Sequence, residues 1–215
     1  MRNVLIVKLS AIGDVIHALP VSYAIKETFP EAKVTWVVEP PAYDLVAMNP
    51  CVDRIITFHK KEFKTFGGFL HNFRPFRRLL KQDAYDAVLD LQGLFKSAAI
   101  ARMAKAPVKL GTCNMRELSG RVSKPVIGPH AGGHIVERYL DVARELGCRV
   151  EKVVFPVEVP EREQESARHI MSEVGARMEN PYIVFAVGAN WPNKRWPTRY
   201  FAALAEWLYE KQAIP

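Results

Sequence analysis

NVLIVKLSAIGDVIHALPVSYAIKETFP, residues 3–30, decides the fold. Residues 3–9 form an apolar run of strand length, the pattern of a parallel strand buried on both faces. A polar turn follows, SAIGD (10–14). The chain then changes to helical text over residues 15–30, which Pro20 is expected to interrupt early because proline lacks the N–H that a helix interior needs.

The same alternation continues outward from this unit. Further strands are predicted at 33–39, 52–58, 85–92 and 108–112. Between them lie a short helix at 41–48, one that opens within FRPFRRLLKQ (73–82), and one at 94–104. An amphipathic helix at 134–147 closes on Gly147, a good helix stop. Strands alternating with helices predict βαβ units and a doubly wound parallel sheet, an α/β class. Such sheets bind ligands at the carboxyl ends of their strands. That rim holds SAIGD, the loops after the second to fourth strands, and Asp90–Lys96.

From Val157 to Glu179 the text becomes a charged helix flanked by Pro156, Pro160 and Pro181, so 156–181 reads as an interdomain connection. YIVFAVGA (182–189) predicts a fresh buried strand. The loop NWPNKRWP and the helix 198–212 follow. One strand and one helix cannot enclose a core. The expected organisation is a complete domain over 1–155 and an incomplete second one over 182–215, in a truncated sequence.

Of the 215 residues, 49% are hydrophobic, enough for one good core. No run of about 18 apolar residues occurs, so no transmembrane helix is expected, and the N-terminus carries no signal-peptide pattern. A cytoplasmic location follows as an expectation. Cys51, Cys113 and Cys148 are widely spaced and form no metal or redox motif. The formal charge of +7 favours anionic partners. Nucleic acid is the weaker choice among them, since no zinc finger, basic zipper or RNP-type motif is present.

Several residues could carry chemistry. Asp14 follows Gly13 where the first strand turns into the first helix; it is either a general base at the ligand rim or a helix cap. Gly13 is expected to let the backbone turn tightly and approach a ligand, and Ser10 to bind a sugar or phosphate or to form the turn. The spacing is not GxGxxG, which argues against a dinucleotide. Lys194 lies between a predicted strand and helix, suited to phosphate or simply solvated. No DxD motif and no His/Cys/carboxylate cluster appears, so no metal and no cofactor is expected.

KLSAIGDVIHALP (8–20) closely resembles the first motif of the ADP-heptose:lipopolysaccharide heptosyltransferases. GANWPNKRWP (188–197) resembles the loop that opens their second domain, and DLQGLFKSA (90–98) and HIVERYLDVARELG (134–147) are also similar to family segments. The resemblance implies a GT-B architecture, with two Rossmann-like domains facing across a cleft. The first would hold the acceptor and the second the sugar nucleotide. It implies inverting transfer of heptose from ADP-heptose to Kdo of the inner core, on Kdo-lipid A at the cytoplasmic face of the inner membrane. Transfer of the second heptose is the close alternative. Asp14 would be the base, and Lys194 a diphosphate ligand. Asn190 or backbone donors would assist where some relatives carry threonines and this sequence has Gly188, Ala189 and Asn190. Lys60, Lys64, Arg116, His134 and Arg138 would hold the anionic acceptor. Because family members are longer, the 215-residue chain alone is expected to be inactive. A non-catalytic module that binds an anionic glycolipid is the competing reading.

Overall fold

The computed structural model describes every residue except Lys64, Met178, Asn190 and 213–215. The described chain divides into two compact units, Met1–Glu158 and Val159–Pro215.

The first unit is built on six parallel strands: β1 (Asn3–Val7), β2 (Lys33–Val38), β3 (Arg54–Thr57), β4 (Ala87–Asp90), β5 (Val108–Gly111) and β6 (Lys124–Pro125). Their spatial order is β3-β2-β1-β4-β5-β6, the doubly wound arrangement in which the direction of winding reverses between β1 and β4. The two-residue β6 was not anticipated; it pairs with Leu110 and Gly111 of β5. Five helices accompany the sheet: α1 (Ile12–Thr28), α2 (Tyr43–Ala47), α3 (Phe66–Leu80), α4 (Phe95–Ala104) and α5 (Ile135–Glu145).

The alternation along β1 separates the core into two layers. Val4 and Ile6 pack with Val15, Leu19, Leu140 and Trp36 on the side of α1 and α5. Leu5 and Val7 pack with Phe76, Leu80, Val88 and Ile100 on the side of α3 and α4. All four β1 residues are fully buried, each worth roughly 1.5–3 kcal/mol on transfer from water. This is why the strand reads as an apolar run rather than an alternating one.

Two expectations fail here. Pro20 does not interrupt α1, which runs unbroken through it with Pro20 buried. The ring removes only the N–H that would reach the Ile16 carbonyl, and Ile16 sits on the exposed side of the helix, where water can satisfy that oxygen. The strand expected at 182–189 does not form either. Residues 181–189 have no regular structure, and Val184 is 78% exposed. A strand needs a neighbour for its backbone groups, and among the described residues this unit offers none. Its helices are α6 (Glu161–Glu173), which buries no residue, and α7 (Thr198–Gln212). Among the described residues no helix is long and apolar enough to cross a membrane.

Candidate active site

The switch point of the sheet carries a cavity of about 600 Å³, lined by residues that follow β1, β4 and β5 together with Ile135 and Tyr139 of α5. Asp14 and Arg116 both line it, so two of the expected site residues, one after β1 and one after β5, meet in one place.

Asp14 is the third residue of α1, behind the N-cap Ala11. Its Oδ2 lies 3.4 Å from the Ala11 backbone N–H, the reciprocal half of a capping box whose other half alanine cannot supply. The side chain is still 52% exposed, leaving the carboxylate available to the cavity. Gly13 does not make the turn that precedes it. It has an ordinary helical conformation, with nothing within 4 Å of where a Cβ would stand. The residue before the helix, the N-cap Ala11, is extended. Gly13 therefore offers open space rather than a special dihedral.

Lys8 was not anticipated as a site residue. Its side chain is only 3% exposed, and Nζ stands 3.9 Å from Asp14 Oδ2 and 5.3 Å from the centre of the Tyr139 ring. Burial pulls the Lys8 ammonium below the usual lysine range, while Asp14 and Asp90 hold it up. The Tyr139 phenol is pushed up, first by burial and then by Asp14. A desolvated cation beside an accessible carboxylate is the kind of pairing found where protons are moved.

A loop from the other side of the switch point holds this arrangement in place. Gln92 Oε1 accepts the backbone N–H groups of Leu9 and Ser10 at 3.0 and 3.1 Å. Asp90 is fully buried, and its Oδ1 accepts from the N–H of Gln92 and Gly93. Burial raises the Asp90 carboxyl, opposed by those donors, by Ser97 and by Lys8. Gly93 has φ +67°, and a Cβ there would stand 3.3 Å from the Asn114 carbonyl. The Gly93 carbonyl accepts from the Arg116 N–H at 2.9 Å, which ties Arg116 to the same loop.

The remaining expected residues disperse. Ser10 is half-buried beside Gln92. His134 is the N-cap of α5, its Nδ1 accepting from Val136 N–H at 3.4 Å, with its ring edge-on to His17 at 5.7 Å. Arg138, one turn later, has a buried Nε without a hydrogen-bond partner among the described residues. Neither lines the cavity. Lys60 is exposed in a short 3₁₀ turn after β3 and lines a different cavity. Lys194 is exposed in the second unit, in the 3₁₀ turn Pro192–Lys194, and Arg195 Nε beside it donates to the Ala189 carbonyl. Trp196 stacks on Tyr200 with ring centres 5.5 Å apart. Lys64 and Asn190 lie outside the described residues.

A doubly wound parallel sheet with a polar cavity at its switch point defines a Rossmann-like α/β ligand-binding domain. The comparisons are specific: the profile of glycosyltransferase family 9 (heptosyltransferase) matches residues 73–214. Lipopolysaccharide heptosyltransferase 1 of Pseudomonas aeruginosa is 34% identical over 97% of this chain and 58% of its own length. Among solved structures, the E. coli heptosyltransferase WaaC with ADP-2-deoxy-2-fluoro heptose superimposes with a TM-score of 0.77 at 27% identity, over 99% of this chain and 67% of that one. The family 9 glycosyl transferase of Veillonella parvula gives 0.82 at 21% identity, over 97% and 60%. The chain belongs to glycosyltransferase family 9, the heptosyltransferases, and spans a little under three fifths of the Pseudomonas relative's length.

Proposed function

We propose that this chain is part of an inverting heptosyltransferase that moves L-glycero-D-manno-heptose from ADP-heptose to Kdo of the lipopolysaccharide inner core. The observation that carries the reading is the accessible Asp14 carboxylate in the switch-point cavity, with the buried Lys8 ammonium 3.9 Å away. The heptosyltransferase 1 name of the Pseudomonas relative favours the first heptose transfer over the second.

In this reading an acceptor hydroxyl enters the cavity and gives its proton to Asp14 as it attacks the anomeric carbon. Lys8 fixes the carboxylate and offsets its charge before the proton arrives. Arg116 faces the same space and pairs with the carboxylate of the Kdo acceptor, a charge-assisted bond for which arginine is well shaped. Gly13 leaves room for a sugar beside the helix N-terminus, and Ser10 supplies a hydroxyl there. Lys60 and Lys64 add cations toward the acceptor's phosphates; His134 and Arg138 hold the start of α5 beside the cavity. In the second domain Lys194, with Asn190 and neighbouring backbone N–H groups, meets the departing diphosphate. The acceptor, Kdo-lipid A, would be met at the cytoplasmic face of the inner membrane.

The test is Asp14→Asn in an active heptosyltransferase containing this sequence, with heptose transfer measured against acceptor concentration. Loss of a general base lowers turnover by about a hundredfold or more, with little change in acceptor KM. Near-full turnover would reduce Asp14 to a helix-capping residue.

A further inference from the structure

A second, larger cavity of about 840 Å³ opens between the 3₁₀ turn Lys60–Phe63, α3 and α4. Its volume lies within the roughly 300–1,000 Å³ of small-molecule sites. The floor is apolar and mostly aromatic. Phe58 and Phe63 stack with ring centres 5.0 Å apart, Phe76 lies 5.3 Å from Phe58, and Ile100 and Met103 complete it from α4. The rim is cationic, formed by Lys60, Arg77, Lys96, Arg102 and Lys105. Lys96 meets Glu39 at 3.8 Å; among the described residues the other four have no carboxylate within ion-pair reach. Phe95, at the mouth, is 67% exposed, and Leu70 and Leu79 of α3 are exposed as well.

Water-facing cations and an apolar interior fit an amphiphile with an anionic head. The positive charge also continues past the cavity: Arg74, Arg78 and Lys81 line a neighbouring hollow along α3. Residues 60–105 contain ten Lys and Arg but only four Asp and Glu. Asp90 of those four is fully buried, Asp83 is engaged by Lys33 and Arg54, and Asp86 by the N–H groups of Arg2 and Asn3. That spread of charge exceeds what one headgroup would meet, and it matches a surface of many headgroups. Exposed Phe and Leu beside exposed cations are the composition of an element that lies in a membrane interface.

We propose that this face docks on an anionic phospholipid leaflet, with α3 and the start of α4 at the surface and one lipid acyl chain taken into the Phe58–Met103 cavity. Phe95 and Lys96 begin α4 directly after the loop that carries Gln92 and Gly93. The lipid-binding face therefore borders the Asp14 cavity, where a glycolipid acceptor would present its sugar. The proposal deepens the acceptor reading above, and its assay uses no heptose transfer, so either can fail alone.

The experiment is flotation of the 215-residue protein with vesicles of phosphatidylcholine, with and without phosphatidylglycerol. The folded state of each variant is checked by thermal denaturation. Binding is expected only with phosphatidylglycerol. Arg102→Gln with Lys105→Gln should weaken it. Ala99→Trp, which fills the cavity without changing charge, should weaken it about tenfold, as when a few methylenes stay in water. A folded Ala99→Trp that binds like the parent overturns the acyl site, and equal binding to neutral vesicles overturns the role of the cations. A measurement on the unaltered protein guards against a misfolded variant: dodecyl phosphate, but not butyl phosphate, should shift the methyl resonance of Met103. The same shift with both, or with neither, overturns the proposal.

Discussion

Two glycines near the switch point should respond in opposite ways to the same added methyl group. At Gly93, φ is +67° and the new Cβ would meet the Asn114 carbonyl oxygen and Thr112 Cγ2 at 3.3 Å, both tighter than ordinary contact. The left-handed conformation costs a non-glycine residue roughly 1–2 kcal/mol, and the crowding of a backbone oxygen adds to it. We expect Gly93→Ala to destabilise the first unit by about 2 kcal/mol, a factor of about 30 in the ratio of folded to unfolded chain. With a urea slope of roughly 1–3 kcal/mol per molar, the unfolding midpoint falls by about 1 M. At Gly13 the conformation is helical and the Cβ site empty. Alanine there is neutral, or stabilises by up to about 1 kcal/mol through helix propensity. Gly13→Ala should therefore keep its urea midpoint while raising KM in an active enzyme, because the methyl occupies space left for the ligand. Equilibrium urea unfolding of the two variants against the parent decides it. A stable Gly93→Ala protein, or a destabilised Gly13→Ala protein, would refute this account of the two positions.

Arg116→Glu in an active enzyme should raise the acceptor KM by about tenfold or more while leaving the donor KM nearly unchanged, as loss of a charge-assisted bond to an anionic acceptor requires; an effect on the donor alone would remove Arg116 from the acceptor site. The stability of the first unit should fall as pH drops below about 4, in part through Asp141. Burial raises this carboxyl, but hydrogen bonds from the His130 ring and backbone and from Arg144 outweigh it and hold it below its usual 3.8. A depressed folded-state pKa means stability that is present above the unfolded value and lost as pH falls through the folded one, so Asp141→Asn should destabilise at neutral pH and flatten the acid limb of a denaturation series.

The sheet was legible because β1 and its neighbours are buried on both faces, and that condition writes itself as apolar runs of strand length. The end of α5 was legible through Gly147, whose φ of +96° few other residues tolerate. Asp14 could be placed at the ligand rim, since the carboxyl ends of parallel strands share a side, whereas Arg116 was reached only through the family resemblance. Lys8 was not visible. A lysine near the end of an apolar run reads as the strand's solvent-facing end, and its burial depends on Tyr139, far along the chain on α5. The only signal was a charge inside an otherwise buried segment. The expected strand at 182–189 shows the opposite failure: its apolar text is that of a buried strand, but pairing is a property of two segments, and no partner is present among the described residues. His134 and Arg138 resembled family positions, yet the start of α5 places them outside the cavity that Ile135 and Tyr139 line.

Charge sharpens the argument once it is located. A formal +7 by itself admits nucleic acid, anionic lipid or a phosphorylated metabolite. Residues 1–158 hold 23 Lys and Arg against 16 Asp and Glu, while 159–215 hold seven of each. The whole excess therefore belongs to the first unit, and most of it to the stretch 60–105. A diphosphate leaving group asks for one or two cations at a helix N-terminus, which Lys194 and Arg195 can supply within a unit of zero net charge. A large anionic acceptor held at a charged surface asks for a broad positive face instead, and it makes association depend on ionic strength. If, as proposed, the first unit meets the acceptor and the second the donor, their different partners would require this asymmetry. Among the described residues, the rim cations other than Lys96 have no carboxylate within ion-pair reach; pairing them internally would weaken the field that, on the proposed reading, draws an anionic surface in.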